Sequence, residues 1–439
     1  MANPLIDIFR VKDLRDRILY TVGLLIVFRI GTFLPIPGVD RNAIVAYFAQ
    51  ETQGAGIIDF LDFFSGGALK NFSIFMLGIM PYITTSIIMQ LLTIAFAKMK
   101  KLAEEPGGRK KIQRYTRLLT VPVCIVQSFT ITRLTDQIPD AITLPPILFA
   151  LVAILTVTVG TLFLMWVGEQ ITKRGIGNGT SLLIFAGIVA RVPWAINQLV
   201  RAVKDPTQAL NPVFLIVVFA MFVGVIALVI YEQQGQRKIP VNYAKRVVGR
   251  RIYGAQNTYI PFKINPSGVI PVIFASSVLS MPIQIAQSLG RQVPWLDRIA
   301  SFLSPSGVMY QVLYALFIIF FAYFYTQVTL NPLEISKNIR ENGGSIPGIR
   351  SEKMEEHLAR ILNRIVLPGS LFLAFIALIP SIVQGLFHFP IEVAYLMGGT
   401  SLLILVGVDL DTMAQIEGHL RMHHHDGIIK KGRIRARNL

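Results

Sequence analysis

Ten apolar runs punctuate the chain, at about 18–34, 72–94, 115–134, 146–168, 179–193, 212–231, 267–288, 308–330, 361–382 and 393–411. Most hold about 20 residues, the length an α-helix needs to cross the roughly 30 Å hydrocarbon core of a bilayer. The pattern predicts ten membrane helices joined by polar loops. The fifth run is short, bounded by Gly175-Ile176-Gly177-Asn178-Gly179 on one side and Pro193 on the other. Short or glycine-interrupted spans point to a binding site or pathway rather than to lipid.

The stretch 57–90, IIDFLDFFSGGALKNFSIFMLGIMPYITTSIIMQ, departs from this regularity. Its first piece, Ile57 to Phe64, is apolar but carries Asp59 and Asp62. Even nine helical residues reach only about 13 Å, too little to cross. Ser65, Gly66 and Gly67 then break the helix. From Phe72 a second run is long enough to span, with Pro81 inside it as a predicted kink. A half-length helix folded beside a kinked span lines a cavity, because irregular backbone at membrane depth needs protein or water around it. A surface-lying loop helix followed by an ordinary kinked span fits the same residues.

Composition agrees with a polytopic membrane protein: of 439 residues, 53% are hydrophobic and only 15% charged. Residues 1–17 carry Asp, Arg and Lys and run straight into the first apolar run, so no cleavable signal peptide is expected. Cys124 is the single cysteine and lies in an apolar run, which makes it a buried filler incapable of an internal disulfide. Charge fixes the orientation. The segments 1–17, 95–114 with Arg117, 169–178, 232–266, 331–364 and 412–439 hold 33 of the 42 Lys and Arg. They alternate with segments poor in basic residues, so the positive-inside rule places both termini in the cytoplasm.

The net charge of +17 is thereby concentrated on one face. Residues 240–268 carry Lys245, Arg246, Arg250, Arg251 and Lys263 without an acid, and their glycines and prolines predict a protruding hairpin with Gly249 near the tip. Residues 331–364 contain a turn at Asn342-Gly343-Gly344 and an isolated Arg350 after Pro347-Gly348. Topology alone explains much of this charge. The length of the loops argues for more: an acid-free basic protrusion suits an RNA backbone or an acidic protein surface. The basic tail, Lys430 to Arg437, suits lipid headgroups or RNA equally.

Catalytic signatures are missing. There is no phosphate-binding Gly-x-x-x-x-Gly-Lys-Ser/Thr loop, no His-Glu-x-x-His pair and no Gly-x-Ser-x-Gly elbow. His423, His424 and His425 are adjacent and poorly spaced to converge on one metal ion. Arg29 falls in the outer part of the first span, close enough to its end to snorkel, and Glu169, Asp409 and Asp411 lie near cytoplasmic ends. None builds the midplane relay of an ion-coupled pump. The residues alone suit a membrane protein with a lined cavity; the missing relay weighs against a small-solute secondary transporter without excluding it, and a membrane hydrolase has no motif.

Several long motifs carry a resemblance. FLPIPGVD (33–40), FFSGGALKNFSIFMLGIMPYITTSIIMQLL (63–92), ITKRGIGNGTSLLIFAGIVA (171–190), VNYAKRVVGRRIYGAQNTYIPFKINPSGVIPVIFASS (241–277) and NGGSIPGIR (342–350) resemble the bacterial SecY family, the central subunit of the Sec translocon. The likeness runs from the first span to the last. It implies an all-α fold of ten transmembrane helices in two pseudo-symmetric five-helix halves, a clamshell around an hourglass pore in the bacterial inner membrane. The halves are expected at 1–205 and 212–439, hinged externally at 206–211, and clasped by SecE and SecG-type subunits. No cofactor or metal is expected.

The resemblance also implies roles. Ile57, Ile58, Asp59, Phe60, Leu61, Asp62, Phe63 and Phe64 match the family's plug, and Ile79, Ile83, Ile184, Ile188, Ile273 and Ile404 its pore ring. Aliphatic side chains closing a constriction exclude water and ions while offering a sliding chain no hydrogen bond. Asp59 and Asp62 are expected to keep the plug wet enough to leave the ring. The second and seventh spans match a lateral gate, where Thr84, Thr85, Ser86, Gln90, Gln127, Ser276 and Ser277 are expected to form polar pairs across a seam, each worth about 0.6–2 kcal/mol. Lys245, Arg246, Arg250, Arg251 and Arg350 match the face that receives the SecA ATPase or the ribosome. Signal sequences, nascent chains and lipids complete the implied partners. Met281 and the three tail histidines receive no role.

Overall fold

The computed structural model describes residues 11–41, 43–44, 47, 62, 65–135, 138, 141–204, 212–243, 246–248, 251–253, 257–289, 302–303, 307–387 and 399–431. The helices are α1 (Lys12–Gly31), α2 (Met80–Ala95), α3 (Ala97–Glu104), α4 (Gly108–Thr135), α5 (Pro146–Arg174), α6 (Gly179–Lys204) and α7 (Pro212–Gln234). Four strands follow, β1 (Gln236–Tyr243), β2 (Arg246–Val248), β3 (Arg251–Tyr253) and β4 (Asn257–Lys263). Then come α8 (Ile270–Leu289), α9 (Val308–Thr329), α10 (Pro332–Glu341), β5 (Gly344–Ser345), α11 (Met354–Phe387) and α12 (Thr400–Lys431). Each of the ten apolar runs coincides with a helix; α3 and α10 are short additions.

Two boundaries differ from expectation. The second span is helical only from Met80, with Pro81 in the first turn. Proline is favoured there because its missing N–H has no intrahelical acceptor, so Pro81 starts the helix instead of kinking it. Residues 72–79 ahead of it are irregular, with φ of 41° at Phe72 and 57° at Gly78. The fifth span is not short: α6 continues through Pro193 to Lys204, past the point where the sequence turns polar.

The chain forms two compact units. The first comprises Met1–Gln198, Gln284–Ala300 and Ile404–Leu439. On α5 it buries Ala153, Val157, Gly160, Leu164, Val167 and Ile171, spaced three or four residues apart and hence on one face. The opposite face is apolar but bare, Leu155 being 65% and Val159 62% exposed. Water does not tolerate such a face; lipid does. Gly160 lacks the Cβ that would strike the Ile74 carbonyl, so the irregular segment 72–79 lies directly on α5. That segment also bonds to 33–40: Ile36 N–H donates to the Phe72 carbonyl at 2.9 Å and Ile74 N–H to Leu34 at 3.0 Å. Ile36, Leu69, Phe72, Met76, Phe149 and Val157 share one core.

The second unit comprises Leu199–Ile283 and Ser301–Leu403. Its sheet has the order β4-β1-β5. β1 pairs antiparallel with β4, Ile239 facing Ile260, and with β5, Asn242 facing Ser345. The two long basic loops therefore share one sheet. Ile239, Val241 and Phe262 pack with Ile339, Ile346, Met354 and Leu358 in one core, which roots both loops on α10 and α11. β2 and β3 pair as a separate hairpin, Val248 facing Arg251.

Candidate functional site

The glycine break after residue 64 is real: Gly66 and Gly67 adopt φ of 69° and 92°, which only glycine takes at little cost. A Cβ on Gly66 would lie 2.7 Å from Gly187 Cα, so the turn is seated against the backbone of α6. Arg29 does not snorkel away from the protein. Its guanidinium donates to the Gly66 carbonyl at 2.8 Å and lies over the Phe33 ring, 4.6 Å from its centroid.

Asp62 corrects the expectation of a wet plug. Its side chain is 0% exposed and paired with the Arg191 guanidinium of α6. Its Oδ1 also accepts from Lys70 N–H at 2.8 Å. Ile57, Ile58, Asp59, Phe60, Leu61, Phe63 and Phe64 lie outside the described residues.

All six ring positions are buried: Ile79, Ile83, Ile184, Ile188, Ile273 and Ile404 expose 9% or less. They face protein, not lipid. Ile79 is the residue that caps α2, yet Ile83 N–H donates to its carbonyl at 3.2 Å, so the two still stack one turn apart. Ile184 and Ile188 lie one turn apart on α6, Ile273 is on α8 and Ile404 lies one turn into α12.

The gate residues also differ in detail from expectation. Their hydroxyls donate within their own helices: Thr84 to Met80, Thr85 to Pro81, and Ser276 and Ser277 both to Ile273, at 2.7–3.0 Å. Gln90 Nε2 reaches Ser86 Oγ one turn back at 3.4 Å. Thr and Ser back-bond in this way wherever no better acceptor is near, and it leaves the helix free of unsatisfied donors. Gln127 is buried on α4.

The Gly175–Gly179 turn ties three helices together. Ile176 N–H donates to Thr21 Oγ1 at 3.1 Å, Gly177 N–H to Gln415 Oε1 at 2.8 Å, and Gly179 N–H to Thr172 Oγ1 at 2.9 Å. The glycine motif is thus a joint between α1, α5 and α12. Glu169 pairs in a fork with Arg117, Nε–Oε1 and Nη2–Oε2 both at 2.7 Å. Arg350 is exposed, its carbonyl accepting from Lys353 N–H as the following single turn begins. Arg246 and Arg251 sit on the β2–β3 hairpin, whose side chains, with Lys245 and Arg250 entirely, lie outside the described residues, as do the side chains of His423–His425. Cys124 is buried, as expected.

Sequence reasoning missed Arg191. The signal available was its position: it lies inside the fifth apolar run, where a charged side chain needs a partner.

Among the described residues four helices are long and apolar enough to cross a membrane, five if the sharply bent pair α2–α3 counts as one span, and with the bare apolar face of α5 they define a polytopic membrane protein. The comparisons make the class specific. The SecY family model matches residues 73–413. The protein translocase subunits SecY of Borreliella burgdorferi and Thermotoga maritima are 46% and 44% identical, covering 96% and 98% of this chain and the same shares of their own. Among solved structures, one described as a protein-conducting channel aligns with TM-score 0.65 at 22% identity over 92% of both chains. One described by a plug domain that stabilises the closed SecY channel aligns at 0.64, 22% and 92% of both. Sec61 in a canine ribosome–channel complex aligns at 0.61, 21% and 92% of both. The chain belongs to the SecY family. It is a protein-conducting channel subunit, not an enzyme, which sets aside the solute-transporter and hydrolase readings.

Proposed function

We propose that this chain forms the pore of a bacterial inner-membrane translocon, with both termini cytoplasmic. It passes unfolded secretory polypeptides outward and releases apolar helices sideways into lipid. Ile79, Ile83, Ile184, Ile188, Ile273 and Ile404 form the constriction, residues 57–64 the stopper outside it, and 206–211 the hinge between an N-terminal and a C-terminal half. The observation that carries this reading is the burial of all six isoleucines, none of which exposes more than 9% of its surface. The second and seventh spans form the lateral gate. Its hydroxyls are satisfied within each helix, so opening strands no donor in lipid and an apolar signal helix can take the place of one wall at small cost.

The chain carries no nucleotide-binding motif, so the driving force is borrowed: SecA or the ribosome docks on the basic loops, with SecE and SecG-type subunits bracing the channel. The relative found in a ribosome–channel complex supports a ribosomal partner. Crosslinking tests the pore. A stalled secretory chain should react with cysteines at Ile79, Ile188 and Ile273 but not at the outward-facing Leu155 or Ile147. Reaction at the two outer positions alone would refute the assignment.

A further inference from the structure

We propose that the Asp62–Arg191 ion pair is a latch that holds the end of the plug against the fifth membrane helix and must part before the plug can move. The inference rests on the reading of residues 57–64 as a plug. Gly187, Arg191 and Trp194 occupy one face of α6, four and three residues apart. Gly187 receives the Gly66 backbone, Arg191 receives Asp62, and the Trp194 ring lies 5.6 Å from the Arg191 guanidinium carbon. Ile188, a ring residue with 0% exposure, is three residues before Arg191. The ion pair thus stands one helical turn outward of the constriction.

The two sides of the glycine break are held separately. After it, Arg29 grips the Gly66 carbonyl and Asn71 Nδ2 donates to Thr32. Ahead of it, Arg191 grips Asp62, with Gly66 and Gly67 as the natural pivot between the two attachments. Asp62 is also tied locally, its carbonyl accepting from Gly67 N–H at 3.0 Å and its Oδ1 from Lys70 N–H. Arg191 is the attachment that reaches another membrane helix.

Ionic chemistry suits a reversible closure better than apolar contact. A buried ion pair adds little to stability over well-packed apolar residues, but losing one partner leaves a buried charge and is strongly unfavourable. Once the segment swings into water, both charges are hydrated, whereas an apolar pair would expose surface that draws it back. The latch therefore favours one closed position without making release prohibitive.

The test uses the full chain, purified in the complex in which it is expressed and reconstituted in liposomes, with resting chloride leak as the readout. Asp62→Asn keeps an acceptor for Lys70 N–H and removes only the charge; Arg191→Gln removes the other partner. Each should raise leak about tenfold or more. The exchange Asp62→Arg with Arg191→Asp should bring leak back to within about threefold of the parent, since it restores the opposed charges. Single variants that leak like the parent, or an exchange as leaky as the singles, would overturn the latch. Should Arg191→Gln not accumulate, Asp62→Asn decides alone. Deleting residues 57–61 separates the two levels: no rise in leak rejects the plug reading and the latch with it. A rise on deletion without a rise in the charge variants rejects the latch only.

Discussion

Arg29 and Gly66, 37 residues apart, are joined by a 2.8 Å hydrogen bond from guanidinium to carbonyl at the point where the backbone turns left-handed. The first membrane helix therefore positions the turn from which the second span is built. Gly66→Ala should cost about 2–4 kcal/mol, combining left-handed strain with overpacking against Gly187. Gly343→Ala, with similar φ of 73° and no atom within 4 Å of its Cβ, should cost only about 1–2 kcal/mol. Thermal unfolding in detergent measures both; equal losses would show that the Gly187 contact contributes nothing.

Arg117 and Glu169 clip α4 to α5. The carboxylate is 10% exposed and the guanidinium 39%, so the interaction is only half shielded. Arg117→Met should cost about 1–2 kcal/mol, tempered by Lys173 at 3.5 Å from the same carboxylate. Arg117→Met with Glu169→Leu should be the milder change, because no buried charge is left behind. A double variant less stable than the single would contradict this.

Arg350 stands exposed on the second long basic loop, where substitution perturbs no core. Arg350→Glu should abolish SecA-driven transport into inverted membrane vesicles while leaving ribosome-coupled insertion largely intact. Equal loss of both would mean the residue serves the channel itself and not the motor.

The hydroxyls of the second and seventh spans donate to their own helices, so removing them should be mild. Thr84→Val, Thr85→Val and Ser276→Ala should each shift stability by less than about 1 kcal/mol and transport by less than about threefold. A tenfold change in signal-peptide crosslinking to any one of them would show that its oxygen does more than satisfy its own turn.

The helices on the ten apolar runs were legible because the bilayer imposes a length that soluble proteins rarely repeat. Their ends were less so. Residues 72–79 are as apolar as a helix, and apolarity cannot distinguish a helix from an irregular strip laid on another helix. What decides it is Gly160 across the interface, whose missing Cβ leaves room for the Ile74 carbonyl. Past Pro193 the error runs the other way: α6 continues although the sequence turns polar, because a helix leaving the membrane need not stop there. The six isoleucines that the family motifs single out are all buried. The partner of Asp62 was invisible, since Arg191 lies 129 positions away and no local pattern links them. The same holds for β5, a two-residue strand that joins β1 across 103 positions.

That small strand turns two loops into one plate. β4, β1 and β5 share a core with Met354 and Leu358, the first turns of the 34-residue α11, which runs about 51 Å. Force applied to either loop therefore pulls on a handle, and the torque enters a single rod at its N-terminal end. Partners that touch different loops would steer the same membrane helix.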